Sequence, residues 1–233
     1  MGKPTWVRTG RDLANHFLEI IDKSKECEEV HVIFDRYDFP SSLKEGTRQF
    51  RQGSSRPMVY HISDDAVIEK ITLKQLLSSN TNKESLAIYF ASHILQCNTD
   101  SRKTYVVTSK GECKSNKLSV EHLSSTQEEA DTRMILHAID ATGRGATSLC
   151  IQSPDTDVLV LALGKYTSLC EETSLVFGTG AKCRLIPLRP LYNALGPHVV
   201  AALPGFHACT GCGSNGHHMW KVKNLVLEYL KES

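Results

Sequence analysis

The strongest constraint on this chain is an alternation. Short β-rich runs are separated by longer runs with helical spacing across most of the 233 residues. "EEVHVIFD", ending at Asp35, reads as a strand, and "MVYHI" from Met58 as another short one. "KTYVVTSKGECKSNKLSV" reads as two strands around a glycine-containing turn, and "TSLCIQSP" and "SLVFGTG" as two more. Between them, "RDLANHFLEIIDKS" places Leu13, Phe17, Ile20 and Ile21 on one helical face. "ITLKQLLSS", "ESLAIYFASHILQC", "DTDVLVLALGKY" and "LRPLYNALGPHVVAAL" up to Gly196-Pro197 are further helices. In "STQEEADTRMILHAIDATGRGA" the spacing predicts a capping box between Thr126 and Glu129, with Gly143 or Gly145 ending the helix. Alternation of this kind predicts an α/β fold: a mainly parallel twisted sheet in three layers, with helices on both faces.

The apolar fraction of 40% and charged fraction of 23% suit a globular core, and the length suits one domain over 1–233. A net charge of +1 gives no global footprint for nucleic acid, so any such footprint is local. The start, "MGKPTWVRTGRDLANHF", has no apolar core of a signal peptide, and no run of ~20 apolar residues occurs. The eight cysteines are scattered and read as reduced thiols. The expectation is a nuclear or cytoplasmic protein, neither secreted nor membrane-bound.

Parallel sheets bind ligands where strand ends turn into helices. Several acids fall at such turns. Asp35 closes one strand, Asp155 and Asp157 follow another, and Glu128, Glu129 and Asp131 enter a helix. Clustered carboxylates raise each other's pKa values unless a cation intervenes. Mg²⁺ or Mn²⁺ takes oxygen ligands and keeps waters for a phosphate. A pair of such ions ~3.5–4 Å apart supports phosphodiester hydrolysis. The structural alternative is plain: Asp155 as an N-cap, and Asp157 and Glu129 as first-turn acids stabilised by the helix dipole. In a regular helix Glu129 and Asp131 point apart, so they meet at one cation only if the helix begins late.

These segments, in this order, resemble the flap-endonuclease branch of the PIN-like 5′-nuclease superfamily. The matching motifs are "VIFDRYDFPSSLKEGTRQFR" with Asp35, "EEADTR" with Glu129 and Asp131, and "SPDTD" with Asp155 and Asp157. A closer resemblance is to a group of largely uncharacterised animal proteins carrying EEADTRM, SPDTDVLVLAL and FHALTGCD, over roughly Asp12 to Trp220. The resemblance implies a metal-dependent nuclease whose catalytic and metal-holding acids are Asp35, Glu129, Asp131, Asp155 and Asp157. It implies a late aspartate where this chain has Gly213 in "TGCGSN". It also implies an opening strand before "RTGRDLANHF", where only a handful of residues stand, and C-terminal helices beyond Ser233. The expected domain therefore lacks its first strand and is truncated at its end.

Lys44, Arg48, Arg51 and Arg56 lie in a basic, arch-like segment at about 41–57, suited to phosphates if helical. The alternative is a solvated surface arm. Cys209, Cys212 and His217 or His218 include zinc ligand types, but the spacing is too short for the usual finger, and zinc is disfavoured. His31, His61, His93, His122, His137, His198 and His207 are dispersed and read as structural. Two functions follow: a nuclease acting on DNA or RNA, or an inactive module of the same fold that binds nucleic acid or protein. A Toprim or sugar-nucleotide reading of D-x-D ranks third, because it leaves "VIFDRYDFP" and "FHACTGCG" unexplained.

Overall fold

The computed structural model describes residues 3–22, 27–37, 58–98, 102–127, 129–178 and 183–210. Among them the chain is α/β, with seven α-helices and two mixed three-stranded sheets. It divides into two compact units, Met1–Ala130 and Asp131–Ser233.

In the first unit, α1 (Gly10–Ile21) starts at a capping box: Thr9 Oγ1 accepts from Asp12 N–H, and Asp12 Oδ2 accepts from Thr9 N–H at 2.9 Å. Gly10 is required here, because a Cβ would collide with the Ser63 carbonyl. The apolar face of α1 lies against α3 (Asn80–Cys97), with Phe17 stacked on Phe90 at 4.6 Å. Between them, α2 (Leu73–Leu76) is a single turn, shorter than its sequence predicts. β1 (Glu29–Ile33) pairs in parallel with β2 (Thr104–Ser109), with Val32 opposite Val107. β2 then turns back antiparallel into β3 (Glu112–Ser115). Lys110 (φ 53°) and Gly111 (φ 81°) make that two-residue turn, the positive pair that a type I′ hairpin needs.

The strand expected at "MVYHI" is absent. Its backbone finds another partner: Tyr60 N–H donates to Asn82 Oδ1 at 2.9 Å, and Asn82 Nδ2 donates to Met58 O at 2.8 Å. A buried side-chain amide on α3 replaces a neighbouring strand, which satisfies the same groups without a ladder.

In the second unit, β4 (Ser148–Ser153) pairs in parallel with β5 (Glu172–Phe177), and β5 pairs antiparallel with β6 (Arg184–Pro187). The register aligns Ile151, Leu175 and Ile186 across all three strands, and all three are buried. Each contributes at most roughly 1.5–3 kcal/mol of burial. α4 (Ala130–Gly143) ends in a Schellman motif: Ala146 N–H reaches Ala141 O, and Gly145 (φ 100°) N–H reaches Thr142 O. α5 (Thr156–Gly164) buries Val158, Leu159, Ala162 and Leu163. α6 (Leu188–Leu195) and α7 (Pro197–Thr210) are separated at Gly196 (φ 77°), where the Gly-Pro pair places the break. Each sheet holds one parallel and one antiparallel pair, because β3 and β6 return through short connections. Among the described residues no helix is long and apolar enough to cross a membrane.

Candidate metal centre

Two parallel strands end in the same way. β1 stops at Ile33 and β4 at Ser153, and an aspartate follows each two residues later. Asp35 and Asp155 therefore stand at carboxyl ends of strands, where the pleat has ended and a side chain can turn to a helix N-terminus.

In the first unit, Asp35 Oδ1 accepts a hydrogen bond from Ala130 N–H at 2.9 Å. Its Oδ2 lies 3.5 Å from the Tyr37 hydroxyl, and the Lys83 ammonium sits 5.4 Å from the Tyr37 ring centroid. This arrangement corrects the Thr126–Glu129 capping box. Helix α4 begins at Ala130, too late for Thr126 to be its N-cap, and Asp35 supplies a first-turn acceptor from a distant strand. Glu129 consequently stands just before the helix, exposed, with Asp131 in the first turn.

In the second unit, Asp155 is the N-cap of α5. Its Oδ1 accepts from Asp157 N–H at 3.0 Å, and its own N–H donates to the buried Ser153 Oγ at 3.1 Å. A cap of this kind contributes ~1 kcal/mol, and the dipole stabilises a first-turn acid by a further ~0.3–1 kcal/mol. Those terms account for Asp155 at the mouth of an apolar helix without any cation. Asp157 does something more. Its Oδ1 lies 3.4 Å from Nε2 of His207, a side chain only 7% exposed on α7.

Cations that take hard oxygen donors suit these side chains. Among the described residues no group of three or more His, Cys, Asp or Glu side chains is placed to hold a metal ion. Within either unit a cation would take one or two carboxylates and complete its shell with water or phosphate oxygens, as Mg²⁺ commonly does. In the second unit Asp155 and Asp157 stand two residues apart at the start of α5, and in the first Asp35 bonds the backbone of the residue that follows Glu129. Glu128, the basic residues Lys44, Arg48, Arg51 and Arg56, and Cys212, Gly213, His217 and His218 lie outside the described residues, as does the side chain of Cys209.

Two further side chains stand out in the structure. Arg133 is the largest fully buried side chain of the chain's described part. The signal was present: Ala130, Arg133, His137 and Ala141 recur at helical spacing, and all four are buried. In sequence His207 reads as one of the structural histidines, and only folding brings it to Asp157. Comparison of the chain with protein-family models, with curated proteins and with solved structures finds no match.

Proposed function

We propose that this chain is a PIN-like, metal-dependent phosphodiesterase acting on DNA or RNA, with its sheets and helices in a three-layer arrangement. Asp35, Glu129, Asp131, Asp155 and Asp157 are its acids, and Lys44, Arg48, Arg51 and Arg56 its phosphate contacts. The observation that supports it most is a repeated geometry: Asp35 and Asp155 each follow by two residues the end of a strand paired in parallel, and their carboxylates accept from the backbone N–H of Ala130 and of Asp157. Mg²⁺ or Mn²⁺ bound there would supply an activated water and neutralise charge on the phosphate. The chain's own part is to hold carboxylates at fixed positions and keep one oxygen of Asp35 and of Asp155 engaged in a cap.

That engagement also supports a second reading, an inactive binding module of the same fold. Capping alone gives Asp35 and Asp155 a structural purpose, and Gly213 removes an acid that the resemblance implies.

The test is a Mn²⁺ titration followed by thermal unfolding, on wild type and on Asp155→Asn/Asp157→Asn. Binding to the native state alone adds ~2.7 kcal/mol at a hundred times Kd. The proposal expects metal to stabilise wild type and leave the double variant unmoved. It also expects metal-dependent cleavage of DNA or RNA that the double variant lacks. Stabilisation without cleavage at any metal concentration leaves the binding module. No stabilisation and no cleavage ends the metal reading.

A further inference from the structure

We infer that His207 is a positioning residue for Asp157, fixing one carboxylate oxygen so that the other faces a divalent cation; the cation part of this rests on the reading above. The helix packing behind it is specific. Gly164, at the end of α5, faces Pro204 on α7 so closely that a Cβ on Gly164 would lie 2.5 Å from Pro204 Cγ. Asp157 and Gly164 are seven residues apart, two helical turns, and so share one face of α5. Pro204 and His207 are three apart and share one face of α7. The two helices therefore meet along a single seam, with the Gly–Pro contact at one end and the Asp157–His207 contact at the other.

Capping does not require this histidine. Asp155 already accepts from the α5 N-terminus, and Asp157 needs only the dipole to be stable there. A buried imidazole against Asp157 Oδ1 adds something different: it restricts the carboxylate's rotation. Ligating carboxylates are commonly held by such outer hydrogen bonds, and losing them weakens metal binding by about 10–100-fold. At 3.4 Å the two groups are within ion-pair distance, a little beyond the usual N–H···O length.

Two variants and two measurements separate the possibilities. His207→Leu keeps the bulk and removes the donor, whereas His207→Gln keeps a donor of similar reach. Mn²⁺ affinity is read from the free-ion electron paramagnetic resonance signal. The imidazole Nε2–H is read by nitrogen-15 NMR in the metal-free protein, with Asp157→Ala as reference. The expected result is a protected Nε2–H that Asp157→Ala exposes, Mn²⁺ binding about tenfold or more weaker in His207→Leu, and recovery to within a few-fold in His207→Gln. An Nε2–H unaffected by Asp157→Ala overturns the inference, as does equal Mn²⁺ affinity in wild type and His207→Leu. Equal weakening by Leu and Gln also overturns it, since packing rather than the donor would then matter. If wild type binds no Mn²⁺ while the protected Nε2–H is present, the metal reading falls and the positioning of Asp157 stands.

Discussion

Asp35, just past the end of β1, accepts a hydrogen bond at 2.9 Å from the backbone N–H of Ala130, 95 residues further along the chain. The bonded N–H belongs to the residue directly after Glu129, where the helical backbone starts. Replacing Asp35 separates two contributions. Asp35→Ala removes the acceptor and is expected to cost about 1 kcal/mol in urea unfolding of the metal-free protein. Asp35→Asn keeps an oxygen in the same place and is expected to cost a few tenths of that. Equal losses for the two variants would show that the charge, rather than the acceptor, holds the helix start.

Asn82 is the second long-range device. It is 1% exposed and serves both Tyr60 N–H and Met58 O. Asn82→Ala strands both backbone groups, so a loss of about 2–3 kcal/mol is expected, with faster amide exchange at Tyr60. Asn82→Asp is expected to be no rescue, because its second oxygen would face the Met58 carbonyl. Slow Tyr60 exchange in Asn82→Ala would contradict this account.

Asp64 and His93 both make the first unit sensitive to acid, alongside Asp12, Asp22, Glu112 and Glu121, whose carboxyls hydrogen bonds also hold low. The Tyr89 hydroxyl (2.7 Å) and, after it, the Arg11 guanidinium (2.8 Å) hold the Asp64 carboxyl below the usual carboxylate range. Burial holds His93 below the usual histidine range, beside the Asn15 side-chain oxygen at 2.8 Å. Both groups bind protons more readily when unfolded, so both contribute stability that is lost as pH falls. The His93 contribution fades below about pH 6.5, and that of Asp64 below about pH 4. Unfolding midpoints followed from pH 8 to pH 3 should therefore show two declining limbs. His93→Gln should flatten the upper limb and Asp64→Asn should make the lower one shallower, and the reverse pairing would refute the assignment.

Glycines at helix ends give opposite predictions. At Gly164 a Cβ would press on the Pro204 ring, so Gly164→Ala should cost about 1–3 kcal/mol through forced movement of α5 against α7. At Gly143 a Cβ meets nothing within 4 Å, so Gly143→Ala should stabilise by about 0.4–1 kcal/mol. Thermal unfolding of the pair checks both. A tolerated Gly164→Ala would mean that the seam is looser than its geometry indicates.

Much of this was legible in the sequence, because local rules governed it. Asp155 before its apolar run, the glycine turn at Lys110-Gly111 between two strands and Gly196-Pro197 between two helices each act within a few residues. Their hydrogen bonds and φ angles are short-range, so spacing alone fixed those boundaries and the α/β class. The misread places share the opposite property. Thr126 lost its capping role to Asp35, and "MVYHI" lost its strand to Asn82. In each case a partner tens of residues away satisfied the backbone first. The same division runs through the candidate site. The sequence alone marks Asp155 and Asp157, because helix starts favour acids. Only tertiary packing of α7 on α5 decides that Asp157 meets a buried histidine, since no local pattern links residue 157 to residue 207.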